Sequence, residues 1–311
     1  MSSNHERSSN PVLLVGYGLI GNSLRNRLLA GGLPVACVTR RKVPLPGCHL
    51  VDLATEAGLS ALRDLLRGLR PRSVVLAHGP SDVTWIEGHE RQAAHVHCEA
   101  ARIVAASGVP AILVSTDNVF AGERGRYTVA DEPKPFNAYG RVKERAERLI
   151  LAGGNGLVLR ISLIYAWTNS GQRRTFAERC LAAAFEDRPL LAPTDQVFTP
   201  VYVADVSSVI AAICASERVP AGIRHLSGPD QLSRYEFARL AYQLAGSYDP
   251  LVRRCRRRDT EWASRPEFSS LACDDFTDVS DLAHWRPMTP REGLLAMIDE
   301  RRPEPAEHHH V

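Results

Sequence analysis

The chain has 311 residues, of which 44% are hydrophobic and 23% are charged, and its formal net charge is +3. This composition is typical of a folded protein with a large core, in one large domain or two interlocked domains. The net charge is too small to indicate nucleic acid as a partner. The seven cysteines are odd in number and include no Cys-x-x-Cys pair, which favours reduced thiols in a cytoplasmic protein.

The sequence carries no pattern of a membrane or secretory segment. Residues 1–10 are polar and predict a disordered lead-in, and residues 302–311 predict a frayed tail. No apolar run reaches the roughly 18 residues needed to span a bilayer. We therefore expect no membrane partner.

The first strand and the first helix are joined by a glycine-rich turn. Residues 11–16 form an apolar run that ends in glycine, a helical pattern follows, and residues 35–38 form a second apolar run. Strand, glycine turn, helix and strand in this order predict the opening of a dinucleotide-binding unit. The glycines permit the tight turn, the approach of the backbone to a pyrophosphate, and close packing of helix on sheet. The residues predicted to bind the cofactor here are Gly16, Gly18, Leu19, Ile20 and Gly21.

The end of the second strand predicts which dinucleotide binds. The strand runs into Thr39-Arg40-Arg41-Lys42, with no acidic residue. An acid here would bind the ribose 2′-hydroxyl, whereas an arginine accommodates a 2′-phosphate, so Arg40 and Arg41 favour NADPH. Solvated loop charges are the alternative interpretation, which leaves NADH open. Further cofactor contacts are predicted after later apolar runs, at Asp52, Leu53, Ala77, His78 and Gly79.

Apolar runs and helical patterns alternate through the first half of the chain. The apolar runs lie at 73–77, 111–115 and 157–161, and the helical patterns at 56–70, 90–107 and 137–153. This alternation predicts an α/β protein with a Rossmann-type doubly wound parallel sheet. The pattern becomes irregular after residue 165, which predicts a smaller C-terminal substrate-binding lobe. The predicted NAD(P)-binding domain is 11–165 with 190–228 returning to it, and the predicted lobe is 166–189 and 229–301.

Tyr139 and Lys143 form a Tyr-x-x-x-Lys pair. Four residues apart on a helix, they lie on one face, one above the other. A cation beside a phenol stabilises the phenolate, so we expect the pKa of Tyr139 to fall from about 10 toward the working pH. Such a tyrosine can exchange a proton with a carbonyl or alcohol oxygen. The alternative is an ordinary amphipathic helix with a surface lysine.

Together these features resemble the extended short-chain dehydrogenase/reductase superfamily over roughly residues 11–290. The chain is most similar to its dTDP-4-dehydrorhamnose reductase branch in the stretches STDNVFAG (115–122), DEPKPFNAYGRVKERAE (131–147), LRISLIYA (159–166) and DQVFTPVYVADV (195–206). The resemblance implies an oxidoreductase that uses NADPH to reduce a nucleotide-activated, dTDP-like 4-keto-6-deoxy sugar to the deoxyhexose.

The resemblance also implies a catalytic set of Thr116, Tyr139 and Lys143. Thr116 would hold the substrate carbonyl oxygen and Tyr139 would donate the proton. Lys143 would lower the Tyr139 pKa and bind the nicotinamide ribose, with Ser115 as a further cofactor contact. The predicted substrate contacts are Asp117, Asn118, Ser162, Gln196 and Thr199. For the last three, a role in a buried hydrogen-bond network remains the alternative.

Three residues outside the glycine turn depart from the family's pattern. Asn118 replaces a tyrosine and Leu163 replaces a tryptophan that lies near the sugar. These two lost aromatics indicate a different ring substituent or a different ketone. His97 stands where the family usually has asparagine, which indicates a different buried hydrogen-bond network.

Two further clusters of polar residues are candidate sites. The basic cluster at residues 253–258 could bind a diphosphate, or could be a solvated charged face. His89, His95, His97 and Cys98 lack the spacing of zinc ligands, so no metal site is predicted.

Two other functions stay open at this point. One is a nucleotide-sugar epimerase or dehydratase that uses the same three catalytic residues, although Asn118 stands where sugar dehydratases carry a second acid. The other is a non-catalytic, cofactor-binding subunit, such as the regulatory subunit of methionine adenosyltransferase. A homodimer is compatible with each of these functions.

Overall fold

The computed structural model describes residues 10–169 and 171–301. The predicted lead-in therefore lies outside the described residues except for Asn10, and the predicted tail lies wholly outside them. The strands in the described ranges are β1 (Val12–Val15), β2 (Val35–Thr39), β3 (Cys48–Leu50), β4 (Ser73–Leu76), β5 (Ala111–Thr116), β6 (Gly156–Ile161), β7 (Ile164–Tyr165), β8 (Leu190–Pro193), β9 (Val197–Phe198), β10 (Val201–Tyr202), β11 (Gly222–Leu226), β12 (Leu232–Ser233) and β13 (Val252–Cys255). The α-helices there are α1 (Leu19–Ala30), α2 (Glu56–Leu69), α3 (Val83–Glu87), α4 (Glu90–Ala106), α5 (Ala138–Ala152), α6 (Phe176–Phe185), α7 (Val203–Ala215), α8 (Arg234–Leu244) and α9 (Pro290–Glu300).

Seven strands form one parallel sheet in the order β3-β2-β1-β4-β5-β6-β11. In register, Val12 of β1 lies opposite Val35 of β2 on one side and Ser73 of β4 on the other. The strand order reverses between β1 and β4, and a ligand crevice forms at the carboxyl ends of the strands beside such a reversal. The predicted Rossmann-type α/β class is thus confirmed.

Alternate residues of each central strand pack into two separate cores. Val12 and Leu14 of β1 pack with α1 and α7 on one face of the sheet. Leu13 and Val15 pack with α2, α4 and α5 on the other face. Because both faces are covered by helices, the strands read in the sequence as unbroken apolar runs.

The chain leaves the sheet after β6 and later returns to it. Helix α7 packs in the same core as α1, and β11 pairs in parallel with β6 at the edge of the sheet. Within the predicted returning segment 190–228, β8 instead pairs with β13 outside the central sheet.

The smaller lobe has an apolar core of its own. Helices α6, α8 and α9 surround this core, together with residues of β8, β9 and β13. Its buried aromatic side chains are Tyr165, Phe176, Phe198, Tyr202, Phe237, Tyr242 and Trp262. No helix in the described part of the chain is both long enough and apolar enough to cross a membrane.

Candidate active site

A cavity of about 1380 Å³ lies between the carboxyl ends of the central strands and the lobe. Its walls come from the residues that follow β1, β2, β4, β5 and β6, joined by residues of α6 and α8. The predicted site residues that line it are Gly16, Gly18, Leu19, Ile20, Arg40, Arg41, Asp52, Leu53, Ala77, His78, Gly79, Ser115, Thr116, Asp117, Asn118, Tyr139, Lys143, Ser162 and Gln196. Two predicted site residues, Gly21 and Thr199, do not line it.

The glycine-rich turn brings β1 close to β4 and leaves the N-terminus of α1 open. Gly16 has a φ of 107°, and a Cβ atom there would lie 2.4 Å from the carbonyl oxygen of Ala77, so only glycine fits. A Cβ atom at Gly21 would lie 2.1 Å from the carbonyl oxygen of Gly16, so Gly21 serves close packing. Gly18 caps α1 without a side-chain hydrogen bond, and a Cβ atom there would meet nothing within 4 Å. The free N–H groups and positive dipole end of α1 therefore suit an anion such as a pyrophosphate.

Basic side chains line the cavity after β2. Arg40, Arg41 and Lys42 are exposed there. Arg41 Nη1 also donates a hydrogen bond to the backbone oxygen of Gly171, 2.7 Å away. The Asp52 carboxylate accepts a 3.0 Å hydrogen bond from the backbone N–H of Ala54 in the same loop. The positive charge at the end of β2 fits a cofactor with a 2′-phosphate.

Lys143 is buried on α5, with 3% of its surface exposed. Its Nζ donates a hydrogen bond to the backbone oxygen of Val114 in β5, 2.7 Å away. Burial lowers the pKa of Lys143 to about 8, although the Glu147 carboxylate one turn later acts in the opposite direction. Lys143 is therefore not the surface lysine of an ordinary amphipathic helix.

Tyr139 lies one helical turn before Lys143 and also lines the cavity. Burial raises the pKa of Tyr139 above its usual value, and the Asp117 carboxylate raises it further. The predicted fall of this pKa is wrong for this structure. Burial removes the hydration of the phenolate, and the Lys143 ammonium is hydrogen-bonded to the Val114 carbonyl oxygen instead. The phenol is protonated at neutral pH and carries the proton that a general acid donates, but its raised pKa makes it a weaker acid than a free tyrosine.

Thr116 ends β5, and Asp117 and Asn118 form the turn that follows. Thr116 Oγ1 donates a 3.1 Å hydrogen bond to Asp117 Oδ1 and accepts a 3.0 Å bond from Asn118 Nδ2. Ser162 Oγ, just after β6, donates to Asp117 Oδ2 at 3.0 Å. Burial raises the pKa of Asp117, and its hydrogen bonds act in the opposite direction. These bonds hold the Thr116 hydroxyl in the cavity wall.

The N-terminus of α5 is held against this turn. Asn137 caps the helix by accepting a 2.8 Å hydrogen bond from the Gly140 N–H, and it donates a 2.8 Å bond to Asn118 Oδ1. A Cβ atom at Gly140 would lie only 2.0 Å from the backbone oxygen of Asn118. This close approach sets the position of Tyr139, which lies between the cap and the glycine.

Thr199 and Gln196, both predicted substrate contacts, occupy different positions. Thr199 Oγ1 accepts a 3.1 Å hydrogen bond from the Leu271 N–H, and the Thr199 N–H donates to Ser162 Oγ at 3.2 Å. The structure therefore gives Thr199 the buried-network role, because its polar groups bond within the protein. Gln196 lines the cavity, where its Oε1 accepts a 2.5 Å bond from Arg234 Nε.

His78 and His97 form a buried pair of rings, with centroids 5.3 Å apart. His78 Nε2 lies 3.1 Å from the Val96 carbonyl oxygen and His97 Nε2 lies 3.0 Å from that of Pro80, so each Nε2 carries the proton. Burial lowers the pKa of both histidines, to about 4 for His78, and the charge of Lys143 acts in the same direction. Both rings are therefore neutral. In the ranges that the structure describes, no three His, Cys, Asp or Glu side chains converge as a metal site.

The residues that the lobe brings to the cavity were missed from the sequence. They include Phe176, Arg179, Arg234, Trp262, Arg265 and Ser269. One signal was present for Arg234, because Ser233 and Glu236 form a capping box that places it in the first turn of α8. That this turn reaches the cavity depends on the packing of the lobe, which a local pattern does not encode.

The chain is similar to known proteins over nearly its whole length. Residues 11–301 match the family described as the RmlD substrate binding domain. Methionine adenosyltransferase 2 subunit beta of Rattus norvegicus is 26% identical over 279 residues, which cover 85% of this chain and 81% of that protein. The dTDP-4-dehydrorhamnose reductase of Aggregatibacter actinomycetemcomitans is 30% identical over 238 residues, which cover 73% of this chain and 76% of that protein.

A solved structure shows the same arrangement of sheet and lobe. The dTDP-4-dehydrorhamnose reductase from Bacillus anthracis str. Ames, in complex with NADP, aligns with a TM-score of 0.79 at 21% identity. The alignment covers 94% of this chain and 99% of that chain. The resemblance drawn from the sequence motifs is confirmed: the chain belongs to the RmlD substrate-binding domain family.

Proposed function

We propose that this protein is an NADPH-dependent oxidoreductase that reduces a nucleotide-activated, dTDP-like 4-keto-6-deoxy sugar to the deoxyhexose. One observation carries the proposal: Thr116, Tyr139 and Lys143 line the same cavity as the glycine turn. The family match and the relatives named dTDP-4-dehydrorhamnose reductase support the substrate class.

The residues of the glycine turn and the end of β2 fit the cofactor. The N–H groups at the start of α1 would hold its pyrophosphate, with Gly18 leaving room for the approach. Arg40 and Arg41 would hold the 2′-phosphate of NADPH. When bound, the cofactor supplies the hydride.

The catalytic residues then position the ketone and deliver a proton. Thr116 Oγ1, released from Asp117, donates a hydrogen bond to the substrate carbonyl oxygen. Tyr139, which stays protonated at neutral pH, donates its proton to that oxygen as negative charge develops on it. The Lys143 ammonium stabilises the phenolate that remains, because the two groups lie on one face of α5.

The test is oxidation of NADPH in the presence of a panel of dTDP- and UDP-linked 4-keto sugars. For Tyr139→Phe we expect turnover to fall by about 10²-fold or more, as for the loss of a general acid. Tyr248→Phe is the matched control, because Tyr248 is 70% exposed, and it should retain wild-type turnover. Equal rates for Tyr139→Phe and the wild type would remove Tyr139 from the mechanism.

A second candidate function is a subunit of a larger enzyme. It is favoured by the similarity to methionine adenosyltransferase 2 subunit beta over most of both chains. Copurification with a larger enzyme and no turnover of any keto sugar would support this role.

An epimerase, in contrast, would return its hydride to the substrate and give no net oxidation of NADPH. We infer a reducing, cytoplasmic compartment for each candidate, because all seven cysteines are free thiols.

A further inference from the structure

An exposed aromatic ring lines the same cavity as the proposed catalytic residues. In the part of the chain that the structure describes, the phenylalanine, tyrosine and tryptophan side chains that line the cavity are Tyr17, Trp85, Tyr139, Phe176, Phe198 and Trp262. Phe176, Phe198 and Trp262 are buried in the core of the lobe, and Tyr17 packs against the core beside α1. Trp85 differs, because 40% of its surface is exposed. Its ring is the aromatic surface of the cavity that is most open to a ligand.

One face of the Trp85 indole is already covered by a neighbouring ring. The imidazole of His89 stacks on it, with ring centroids 4.1 Å apart and ring planes at 4° to each other. His89 Nδ1 lies 2.8 Å from the backbone oxygen of Trp85, so this nitrogen carries the proton and its hydrogen bond holds the imidazole in place. His89 does not line the cavity. The uncovered face of the indole is therefore the one on the cavity side.

Helix α3, which carries Trp85, is held at both ends. Asp82 caps the helix by accepting two backbone N–H bonds of 3.0 and 3.3 Å. Thr84 Oγ1 donates a 3.0 Å hydrogen bond to the backbone oxygen of Glu261 in the lobe. Glu87 Oε1 accepts a 2.8 Å bond from the Ala138 N–H at the start of α5. These bonds fix the position of the helix before a ligand binds, which lowers the cost of binding.

The contacts of α3 also show which end of a substrate would lie beside it. Ile86 shares a small apolar cluster with Ala138 and Val142 of α5, and Tyr139 packs against that cluster. In the proposed function, Tyr139 delivers its proton to the ketone of the sugar. The base of a nucleotide-linked sugar lies beyond the diphosphate, away from the ketone. The group bound beside α3 is therefore the sugar ring.

The chemistry of an indole face fits a sugar of this class. The face of an aromatic ring carries partial negative charge, so it attracts the partly positive C–H groups on one side of a hexose ring. A 6-deoxy sugar has a methyl group in place of a hydroxymethyl group, which adds apolar area for the indole to cover. Phosphate groups are anionic and gain nothing from such a face.

We propose that Trp85 binds the sugar ring of the substrate by stacking on its C–H face, and so contributes to the choice of sugar. The identity of the ligand as a nucleotide-linked sugar rests on the proposed function. The nucleobase and the nicotinamide ring are other planar groups that stack on an indole. The experiment therefore separates the sugar from both.

The test measures binding by calorimetry to the full chain saturated with NADPH. The ligands are dTDP and two dTDP-linked 6-deoxyhexoses, 6-deoxyglucose and rhamnose, which contain no ketone and are not reduced. Trp85→Ala should weaken binding of the tighter sugar-linked ligand by about 10-fold, as expected for the loss of an aromatic contact and its buried area. The affinities for dTDP and for NADPH should stay unchanged, and unchanged NADPH affinity shows that the variant is folded.

Two further variants complete the binding experiment. Trp85→Phe keeps an aromatic face and should bind the sugar-linked ligand within about threefold of the wild type. Phe185→Ala is the matched control, because Phe185 is also 40% exposed but does not line the cavity. It should bind every ligand as the wild type does.

Steady-state kinetics with the reduced keto sugar separate stacking from a purely structural role. For Trp85→Ala we expect KM to rise by about 10-fold while kcat stays within about threefold of the wild type. A displaced α5 would instead move Tyr139 and lower kcat, so a fall in kcat without a rise in KM would overturn the proposal.

Three binding results would also overturn it. They are an unchanged affinity of Trp85→Ala for both sugar-linked ligands, equal losses for dTDP and its sugar-linked forms, and a loss of NADPH affinity in both Trp85 variants. Equal losses would assign the ring to the nucleobase, and a loss of NADPH affinity would assign it to the cofactor. A loss confined to the sugar-linked ligands, without reduction of any keto sugar, would support the stacking site while contradicting the reductase function.

Discussion

Replacing Lys143 with methionine should stabilise the fold at pH 7 while removing the proposed activity. Lys143 is 3% exposed, and its Nζ donates a hydrogen bond to the Val114 carbonyl oxygen. Methionine has a similar length and no charge, so it can fill the same space between α5 and the sheet. Natural active sites commonly retain residues that lower the stability of the fold.

The magnitude follows from the pKa of Lys143, which falls from 10.5 to about 8 in the folded protein. Each pKa unit corresponds to about 1.4 kcal/mol, so burial of the ammonium costs the folded state about 3 kcal/mol. The variant also loses the hydrogen bond to the Val114 carbonyl oxygen, which offsets about 1 kcal/mol of the stabilisation gained by removing the charge. We therefore expect Lys143→Met to raise the free energy of unfolding by about 2 kcal/mol at pH 7.

The sign of the pH dependence is also determined. Below pH 8 the lysine is protonated in both the folded and the unfolded state, so the full cost of burial is present. Between pH 8 and 10.5 only the unfolded state retains the proton, so the stability contributed by this group rises with pH. The advantage of the methionine variant should therefore shrink over this range and be gone at its upper end.

Urea denaturation of both proteins at pH 7 and at pH 10 checks this expectation. Other groups that titrate in this range, including the thiols, are present in both proteins and cancel in the difference. Lys134→Met is the matched control, because Lys134 pairs with Glu132 on the exposed surface and should change stability by less than about 0.5 kcal/mol. A methionine variant that is less stable than the wild type at pH 7, or whose difference does not vary with pH, would refute the reasoning.

Two further substitutions test the framework around the site. Gly140→Ala would place a Cβ atom 2.0 Å from the backbone oxygen of Asn118. We therefore expect urea denaturation to show a free energy of unfolding lower by about 1–3 kcal/mol, and we expect turnover to fall. Wild-type values for both quantities would contradict the close approach. Glu147→Gln would leave the Arg160 guanidinium buried without its carboxylate, so the free energy of unfolding should fall by about 3–5 kcal/mol. Glu144→Gln, which removes only a partly exposed pair, should cost no more than about 1 kcal/mol, and equal losses for the two glutamates would contradict the assigned role of burial.

Features that lie within one supersecondary unit were predictable from the sequence. The order of strand, glycine turn, helix and strand predicts a dinucleotide site because glycine geometry and helix periodicity act over a few residues. The Tyr139–Lys143 spacing likewise places both side chains on one face of α5. The alternation of strands and helices was enough to predict the fold class, because it reflects a sheet with both faces covered.

Burial across the molecule could be decided only by the tertiary structure. The Tyr139 pKa is raised and not lowered as predicted, because spacing along a helix indicates a neighbouring charge but not the desolvation of the ring. For Thr199, the sequence left a substrate contact and a buried hydrogen-bond network open, and the structure shows that its hydroxyl bonds inside the protein. Arg234 and Arg265 reach one cavity only because the lobe folds back over the strand ends. Spacing along the chain determines which residues share an element, whereas contacts between distant segments determine which charges lose water, and loss of water sets their chemistry.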